Sequence, residues 1–315
     1  MTSRERVLTA IAHHEPDRVP FNLRPDPAIV ARLRAEAGDV DFATHFRHDV
    51  RYVYLPWQPK PDGVPEREWA PRPTEAEIAQ VAAAAHALQA EGVAACSGYA
   101  VGVFEQAKHW LGDVETLVGP YEDPLGFGEF LDRITHWKCQ VYGAYAAAGV
   151  DLVWIGDDLG TQRSLVMSPV QYREWYRPRH RQIVAHLRAI RPEAKIAFHC
   201  CGHVTPLIPD LVEIGIDVLE AVQAEAMDVP ALKREFGRDI AFWGGVGAQS
   251  VLELGTPAQV REGVRQTLQV MAPGGGYIAA PCHTLTEHVS WENVLAFHEA
   301  MLAYGAYPNP AHRGG

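Results

Sequence analysis

A histidine and two cysteines stand together in the segment "KIAFHCCGH", residues 195–203. The apolar residues that precede them predict a buried strand over 195–200. Side chains on a strand alternate between two faces, so His199 and Cys201 point to one side, while Phe198 and Cys200 point to the other. Imidazole and thiolate are ligands that Zn²⁺ prefers. A His-x-Cys pair alone is weak evidence, because a buried cysteine beside a hydrogen-bonded histidine has the same pattern.

Cys282 strengthens the metal hypothesis. It ends the last predicted strand, "YIAAPC" over 277–282, which in a closed barrel neighbours the first strand and faces the same mouth. One imidazole and two thiolates with an open fourth position are typical of a catalytic zinc site. Such a site is electrically neutral when the thiolates balance the ion. This charge balance favours binding of an incoming thiol as thiolate, and so alkyl transfer over hydrolysis.

The elements that must position these ligands alternate between short apolar runs and longer amphipathic segments. Strands are predicted over 18–23, 51–56, 92–98, 151–157, 195–200, 217–222, 240–245 and 277–282. Several of these runs are almost continuously apolar, as in parallel strands that are buried on both faces. The pattern predicts an α/β fold, a single (β/α)8 TIM barrel with an N-terminal helical extension. An open doubly wound sheet is the alternative, but no GxGxxG follows the first run.

The starts of the predicted helices carry capping signals. Thr2, Thr74, Ser168 and Thr256 each precede a Glu or Gln by three residues, which is the capping-box spacing. The predicted helices cover 3–13, 26–37, 74–90, 126–148, 168–190, 204–214, 228–236, 257–270 and 291–304. The segment 104–127 is predicted to be helical with breaks at its glycines and prolines.

Polar side chains collect where the predicted strands end, which is where barrel enzymes place their chemistry. These residues are Tyr99, Asp157, Asp158, His199, Cys201, Glu220, Gln223, Trp243, Cys282 and His283. Since Asp157 and Asp158 are adjacent, we expect one to act on substrate as an acid or base and the other to cap a helix or form an ion pair. His283 is a candidate for substrate contact or proton transfer.

Two further assignments concern substrate binding. Tyr99 and Trp243 could form walls of a substrate pocket or belong to the core. Gln162 follows a strand and could contact substrate, or it could lie in a solvated loop.

Composition excludes several classes of function. The chain of 315 residues has a net charge of −11 and no basic cluster, which argues against nucleic acid or a membrane surface as partner. No apolar run approaches the length of a membrane span, and the N-terminal segment lacks the pattern of a signal peptide. Five cysteines, an odd and low number, indicate a reducing compartment, so we expect a cytoplasmic protein.

Five segments resemble the uroporphyrinogen decarboxylase superfamily, and together they span most of the chain. They are "SRERVLTAIAHHEPDRVPF", "SPVQYREWYRPRHRQIV", "HCCGHVTPLIPDLVEIGIDVLEAVQ", "FWGGVGAQSVLELGTPAQVREGVRQTL" and "GGGYIAAPCHTLTEHVSWENVLAFHEAMLAYG". Within the superfamily, the chain is most similar to the zinc-dependent methyltransferases, which move a methyl group between a corrinoid and a thiol such as coenzyme M, or take part in demethylation of methoxylated compounds. The resemblance implies one barrel domain over 1–315, with an N-terminal helix in 1–17. The composition of the last residues, 308–315, predicts a disordered tail.

The same resemblance implies a ligand set and partners. His199, Cys201 and Cys282 match the family's zinc motif, and Glu220 is the expected fourth ligand, although Gln223 is the closer positional match. The implied cofactors are Zn²⁺ and a corrinoid such as methylcobalamin. A corrinoid protein is the expected partner, because the Asp-x-His-x-x-Gly motif of a cobalamin domain is absent. The small substrate is a thiol or a methylated compound, and a homodimer is implied.

Two other functions stay open at this level. A metal-free carboxy-lyase of the decarboxylase type would use Asp157 or Asp158 and His283. The segment "FNLRPDPAIVARL" argues against tetrapyrrole decarboxylation, because Arg24 stands alone at the place where the decarboxylase has an arginine cluster. A barrel that only carries a metal or corrinoid, without turnover, is the non-enzymatic alternative.

Overall fold

A seven-stranded parallel sheet curls into a barrel at the centre of the computed structural model, which describes residues 1–56, 58–98 and 101–307. The strands follow one another in chain order, and each pairs in parallel with the next. They are β1 (Val50–Val53), β2 (Ala94–Ser97), β3 (Leu152–Gly156), β4 (Lys195–His199), β5 (Val218–Val222), β6 (Ala241–Val246) and β7 (Tyr277–Pro281). Seven of the eight predicted strands are thereby confirmed, and so is the α/β barrel class.

The predicted strand over 18–23 is wrong, although the segment takes the place of an eighth strand. Phe21 forms an isolated parallel bridge with Ala279 of β7. On the other side, the Asp49 amide, directly before β1, donates to the Phe21 carbonyl at 2.9 Å. Pro20 has no N–H to donate, so a regular hydrogen-bond ladder cannot form through this segment. The segment nevertheless closes the barrel between its last and first strands.

Alternation along the strands separates two apolar clusters. In β4, Ala197 packs inside the barrel, whereas Ile196 and Phe198 pack outside against the surrounding helices, together with Cys200. The interior cluster collects such positions from every strand. Because the period of two holds through β4, the predicted faces of this strand and of Cys200 are confirmed.

Helix α1 (Ser3–Ile11) closes one end of the barrel. Its Val7 and Ile11 belong to the interior cluster, so this helix covers the end opposite the strands' carboxyl termini. The Ala10 carbonyl accepts a hydrogen bond of 2.7 Å from the amide of Gly276, directly before β7. A ligand therefore has access to the interior from the other end, at the carboxyl ends of the strands.

The remaining helices surround the sheet or connect its strands. They are α2 (Pro27–Ala37), α3 (Phe42–His45), α4 (Glu75–Ala90), α5 (Val103–Leu111), α6 (Asp113–Glu122), α7 (Pro124–Ala147), α8 (Pro169–Trp175), α9 (Arg177–Ile190), α10 (Ile208–Ile214), α11 (Val229–Phe236), α12 (Pro257–Met271) and α13 (Trp291–Tyr304). Short 3-10 turns occur at Glu66–Glu68 and Thr205–Leu207, and a π-helical turn at Ala248–Glu253.

Most helix starts follow the sequence signals. Thr2, Thr74 and Thr256 form complete capping boxes, and Ser168 accepts from the Gln171 amide. The single helix predicted over 168–190 is instead split into α8 and α9. Pro178 lies in the first turn of α9 and has no N–H, so it cannot form the helical hydrogen bond to the Glu174 carbonyl that a continuous helix needs.

Within 104–127 the helix breaks before Pro124, where α7 begins, but the breaks predicted at Gly119, Pro120 and Gly126 are wrong, since these residues lie inside α6 and α7. The other break lies at Gly112, between α5 and α6. Its φ of 104° is a conformation that side chains rarely adopt. Among the helices of the described ranges, none is both long enough and apolar enough to cross a membrane. The predicted tail, 308–315, lies outside the described residues, and the single-domain assignment stays a prediction.

Candidate metal centre

Three side chains of ligand type meet at the carboxyl ends of β3 and β4. His199 Nε2 lies 3.6 Å from Cys201 Sγ and 3.6 Å from Asp158 Oδ1. One ligand atom from each of the three lies within 4.8 Å of the other two. A nitrogen, a sulfur and a carboxylate oxygen at this spacing match the donor set that Zn²⁺ takes in proteins. The three side chains are partly exposed, so an ion could reach them from the mouth.

The backbone fixes two of these ligands relative to each other. The Cys201 amide donates to Asp158 Oδ1 at 2.8 Å, which ties the end of β4 to the residue after Asp157. The chain then turns at Gly202, where φ is 78° and an added Cβ would lie 2.5 Å from the Thr161 carbonyl oxygen. Glycine is therefore needed here for the loop that follows Cys201 to pack against the loop that follows β3.

Glu220 orients the imidazole of His199. Its Oε2 contacts His199 Nδ1 and accepts a hydrogen bond of 3.0 Å from the Trp154 indole N–H. An N–H at Nδ1 that donates to this carboxylate leaves the Nε2 lone pair for a metal. Glu220 thus lies on the imidazole nitrogen opposite the ligand group, and its role as a direct fourth ligand stays a prediction.

Neighbouring charges in the barrel interior shift the pKa values of both His199 and Glu220. Burial opposes the charged imidazole, but the Glu220 carboxylate and Cys201 outweigh it and raise the pKa of His199 to about 10. Burial likewise opposes ionisation of Glu220, yet the charges of His199 and Arg24 hold its pKa below the usual value. The pair is therefore ionic in the metal-free protein, and a metal that binds Nε2 must displace a proton.

Arg24 is a site residue that sequence reasoning noted only as a lone arginine. Its guanidinium carbon lies 4.8 Å from the centre of the Trp154 ring, and its Nη2 lies 3.9 Å from Glu220 Oε1. Together with Tyr52 it lines a cavity of about 610 Å³. Because its contact with Glu220 is long, this cation is available to an anionic group in the cavity.

Trp243 belongs to the barrel interior and is only 1% exposed. Its indole N–H donates to Asn22 Oδ1 at 2.8 Å, and Asn22 in turn donates to the Tyr52 hydroxyl at 3.2 Å. The Tyr52 and Trp243 rings are stacked, with centroids 6.4 Å apart. Trp243 thus supports the Tyr52 wall of the cavity, and its predicted direct contact with substrate stays untested.

Asp157 and Asp158 have different surroundings. Asp157 is 1% exposed, and its carboxylate accepts from the first three backbone amides of α5 at 2.8 to 3.0 Å. The His180 Nε2 atom lies 2.7 Å from the same carboxylate. These contacts satisfy Asp157 within the fold, as expected for one member of the pair, and leave Asp158 as the member that faces the ligand group.

Cys282 lies outside the group of three. Its Sγ is 3.2 Å from Glu225 Oε2 and accepts a hydrogen bond of 3.3 Å from the Ala248 amide. Burial raises the pKa of this thiol to about 12. Its predicted role as a ligand stays a prediction, because it requires the thiol to leave Glu225.

The other predicted residues are spread around the mouth. Gln223 is buried, and its Oε1 accepts from the Gly202 amide at 2.8 Å, so it supports the loop after Cys201. Gln162 and His283 are exposed. Tyr99 lies outside the described residues.

Comparison with known proteins shows the family. Residues 66–304 match the family model described as uroporphyrinogen decarboxylase (URO-D). The chain belongs to the uroporphyrinogen decarboxylase family. This confirms the resemblance read from the sequence at the level of the family, and it makes the chain a member of an enzyme family. No curated protein matches the chain.

Solved structures show the same architecture. A methyltransferase from Methanosarcina mazei is 19% identical, with a TM-score of 0.73 over 96% of this chain and 99% of that chain. A GH5_18 protein from Bifidobacterium longum subsp. infantis is 16% identical, with a TM-score of 0.51 over 93% and 81% of the two chains. At these identities the likeness concerns the barrel fold alone.

Proposed function

We propose that this member of the uroporphyrinogen decarboxylase family is a zinc-dependent methyltransferase. It would move a methyl group between a corrinoid, free or on a partner protein, or a methoxylated donor, and a thiol or related acceptor. The observation that carries the proposal is the group formed by Asp158, His199 and Cys201 at the open mouth of the barrel. The overall likeness to a methyltransferase from Methanosarcina mazei supports it.

The donor set of the group fits zinc. Asp158, His199 and Cys201 would hold the ion, and Cys282 is proposed as a further ligand on the ground of the family resemblance. Bound zinc favours the thiolate form of an incoming thiol and thereby supplies the nucleophile. Glu220 keeps the proton of His199 on Nδ1, so that Nε2 stays directed at the ligand group.

The protein's other residues would orient the acceptor. The Arg24 guanidinium lies against Trp154 and offers charged N–H donors to a carboxylate or sulfonate on the thiol substrate. Tyr52 and Trp154 would form aromatic walls against which the substrate packs. His283, exposed at the end of β7, is proposed for substrate contact or for proton exchange with solvent.

Metal content and methyl transfer, measured on the same preparations, test the proposal. We expect about one zinc ion per chain, transfer from methylcobalamin to a thiol, and loss of both in Cys201→Ala. Cys139→Ala is the matched control, since this cysteine packs in the outer core away from the ligand group. Cys282→Ala tests the proposed further ligand. A protein that keeps full transfer activity after its metal has been removed would refute the role of zinc.

A second candidate is a metal-free carboxy-lyase, which the family's name favours. It would use Asp158 and His283 and release carbon dioxide from a carboxylated substrate without a metal. Full decarboxylase activity in the presence of a chelator, together with no methyl transfer, would support it.

A further inference from the structure

A second cavity, of about 730 Å³, lies beside α5 and α7 and under the segment that follows β1. Its size is typical of small-molecule sites. Five aromatic side chains line it: Tyr54, Trp69, Trp110, Trp137 and Tyr145. These rings offer faces and edges to a ligand.

The aromatic wall is held in place by hydrogen bonds and stacking. The Trp137 indole N–H donates to the Pro71 carbonyl at 2.8 Å. Trp110 stacks on Trp137, with centroids 5.5 Å apart and planes 14° apart. The Tyr145 hydroxyl accepts from the Leu55 amide at 3.0 Å. The cavity is thus formed before any ligand enters, so little entropy is lost when one binds.

The charged side chains among the lining residues are carboxylates. Glu66 and Glu105 line it, whereas no lysine or arginine does so within the described residues. Glu105 is paired with Lys108 at 2.9 Å, and Glu66 lies 3.5 Å from His109 Nε2. Glu66 therefore has an imidazole as its ionic neighbour, whereas Glu105 has an ammonium.

The aromatic rings and the carboxylate together favour one chemical class of ligand. Glu105 is compensated by Lys108, and the Lys138 ammonium already lies 4.3 Å from the centre of the Trp137 ring, so Glu66 is the carboxylate that an anionic ligand would meet. A diffuse organic cation would gain from Glu66 and from the faces of the remaining rings, Tyr54, Trp69 and Tyr145, since aromatic rings attract cations through their negative faces. We infer that this second cavity binds a small organic cation of the alkylated ammonium class. The inference is independent of methyl transfer at the zinc site.

One residue connects the two cavities. Tyr54 lines both of them, and its ring packs against Gly98, where an added Cβ would lie 2.2 Å from the ring. A cation bound in the second cavity would therefore lie against a wall of the first.

Calorimetric titration with choline and with its uncharged isostere 3,3-dimethylbutan-1-ol tests the inference at low salt and pH 8. We expect choline to bind at least about tenfold more tightly than the alcohol, because only choline gains from cation–π attraction and from the charge of Glu66. Glu66→Gln should weaken choline binding about threefold and Trp69→Leu about tenfold. Glu68→Gln is the matched control, because Glu68 shares the same 3-10 turn and is exposed, but does not line the cavity.

Each result decides the question. Preference for choline, with weaker binding in Glu66→Gln and unchanged binding in Glu68→Gln, supports a cation site. Equal affinity for the alcohol, or no effect of Glu66→Gln, overturns it in favour of a neutral aromatic pocket, and no binding of either probe overturns it outright. The zinc content of all variants should equal that of the wild type, which separates this result from failure of the proposed methyl transfer.

Discussion

Replacement of the neighbouring aspartates by asparagine should produce two different defects. In Asp157→Asn, one carboxylate oxygen becomes an amide nitrogen that can no longer accept from a backbone N–H of α5. The variant loses a charge-assisted hydrogen bond, worth about 1.5–3 kcal/mol, and leaves a buried donor unsatisfied, at about 1–3 kcal/mol. It also removes the charge beside His180. We expect a loss of about 3–5 kcal/mol in the free energy of unfolding, a large part of the total for a typical protein.

Asp158→Asn should barely change stability. The Asp158 side chain is 40% exposed, and its single backbone hydrogen bond, from the Cys201 amide, can still be accepted by the asparagine oxygen. The expected loss is below about 1 kcal/mol. The amide is a much poorer zinc ligand than the carboxylate, so we expect zinc affinity to fall at least about tenfold.

Urea denaturation of metal-free protein and zinc titration against a competing chelator measure the two effects. Asp157→Asn should lower the urea midpoint strongly and, where it folds, bind zinc within a few-fold of wild type. The reverse pattern, with Asp158→Asn unfolding at lower urea and binding zinc normally, would show that the roles assigned to the two carboxylates are exchanged. If both variants lowered zinc affinity equally, the assignment of a structural role to Asp157 and a ligand role to Asp158 would be refuted.

Three further outcomes follow from individual contacts. Glu220→Gln should weaken zinc binding about 10- to 100-fold by chelator competition, because it disturbs the orientation of the imidazole, whereas Glu253→Gln should leave binding unchanged. Burial and the charge of Arg51 lower the pKa of His48 to about 3, so on acidification the unfolded chain takes up a proton at this residue before the folded protein does. The free energy of unfolding should therefore be highest above the unfolded pKa of about 6.5 and fall by up to about 1.4 kcal/mol per pH unit below it. Urea midpoints measured against pH should show a smaller slope in His48→Leu. Thr74→Ala removes a complete capping box and should lower the free energy of unfolding by about 1 kcal/mol in the same assay.

Local rules were enough to predict much of the positioning of the site. The period of two along β4 gives the common face of His199 and Cys201, and the opposite face of Cys200, without any tertiary information. The capping boxes likewise depend on residues only three positions apart, and the three that include Thr2, Thr74 and Thr256 are complete.

The parts that sequence could not give depend on contacts between distant segments. His180 of α9 and the first turn of α5 bind Asp157 and so leave Asp158 to face the ligand group. Neither element is adjacent to the two aspartates in the sequence. Arg24 joins the site only because the segment before β1 closes the barrel. The position of Cys282 on Glu225 depends on the conformation of two loops, for which the sequence has no periodic signal.

Closure of the barrel by the segment around Phe21 also bears on how the chain acquires its structure. In the sequence, β1 to β6 all lie between Phe21 and its bridge partner Ala279 of β7. Helix α1 also contacts β7, through the residue directly before that strand. Contacts at such separation form late, because the entropy of bringing distant segments together must be overcome first. Until β7 is complete, the apolar residues of α1 have no finished interior to enter, so a ribosome-bound or C-terminally truncated chain should expose them to chaperones and proteases.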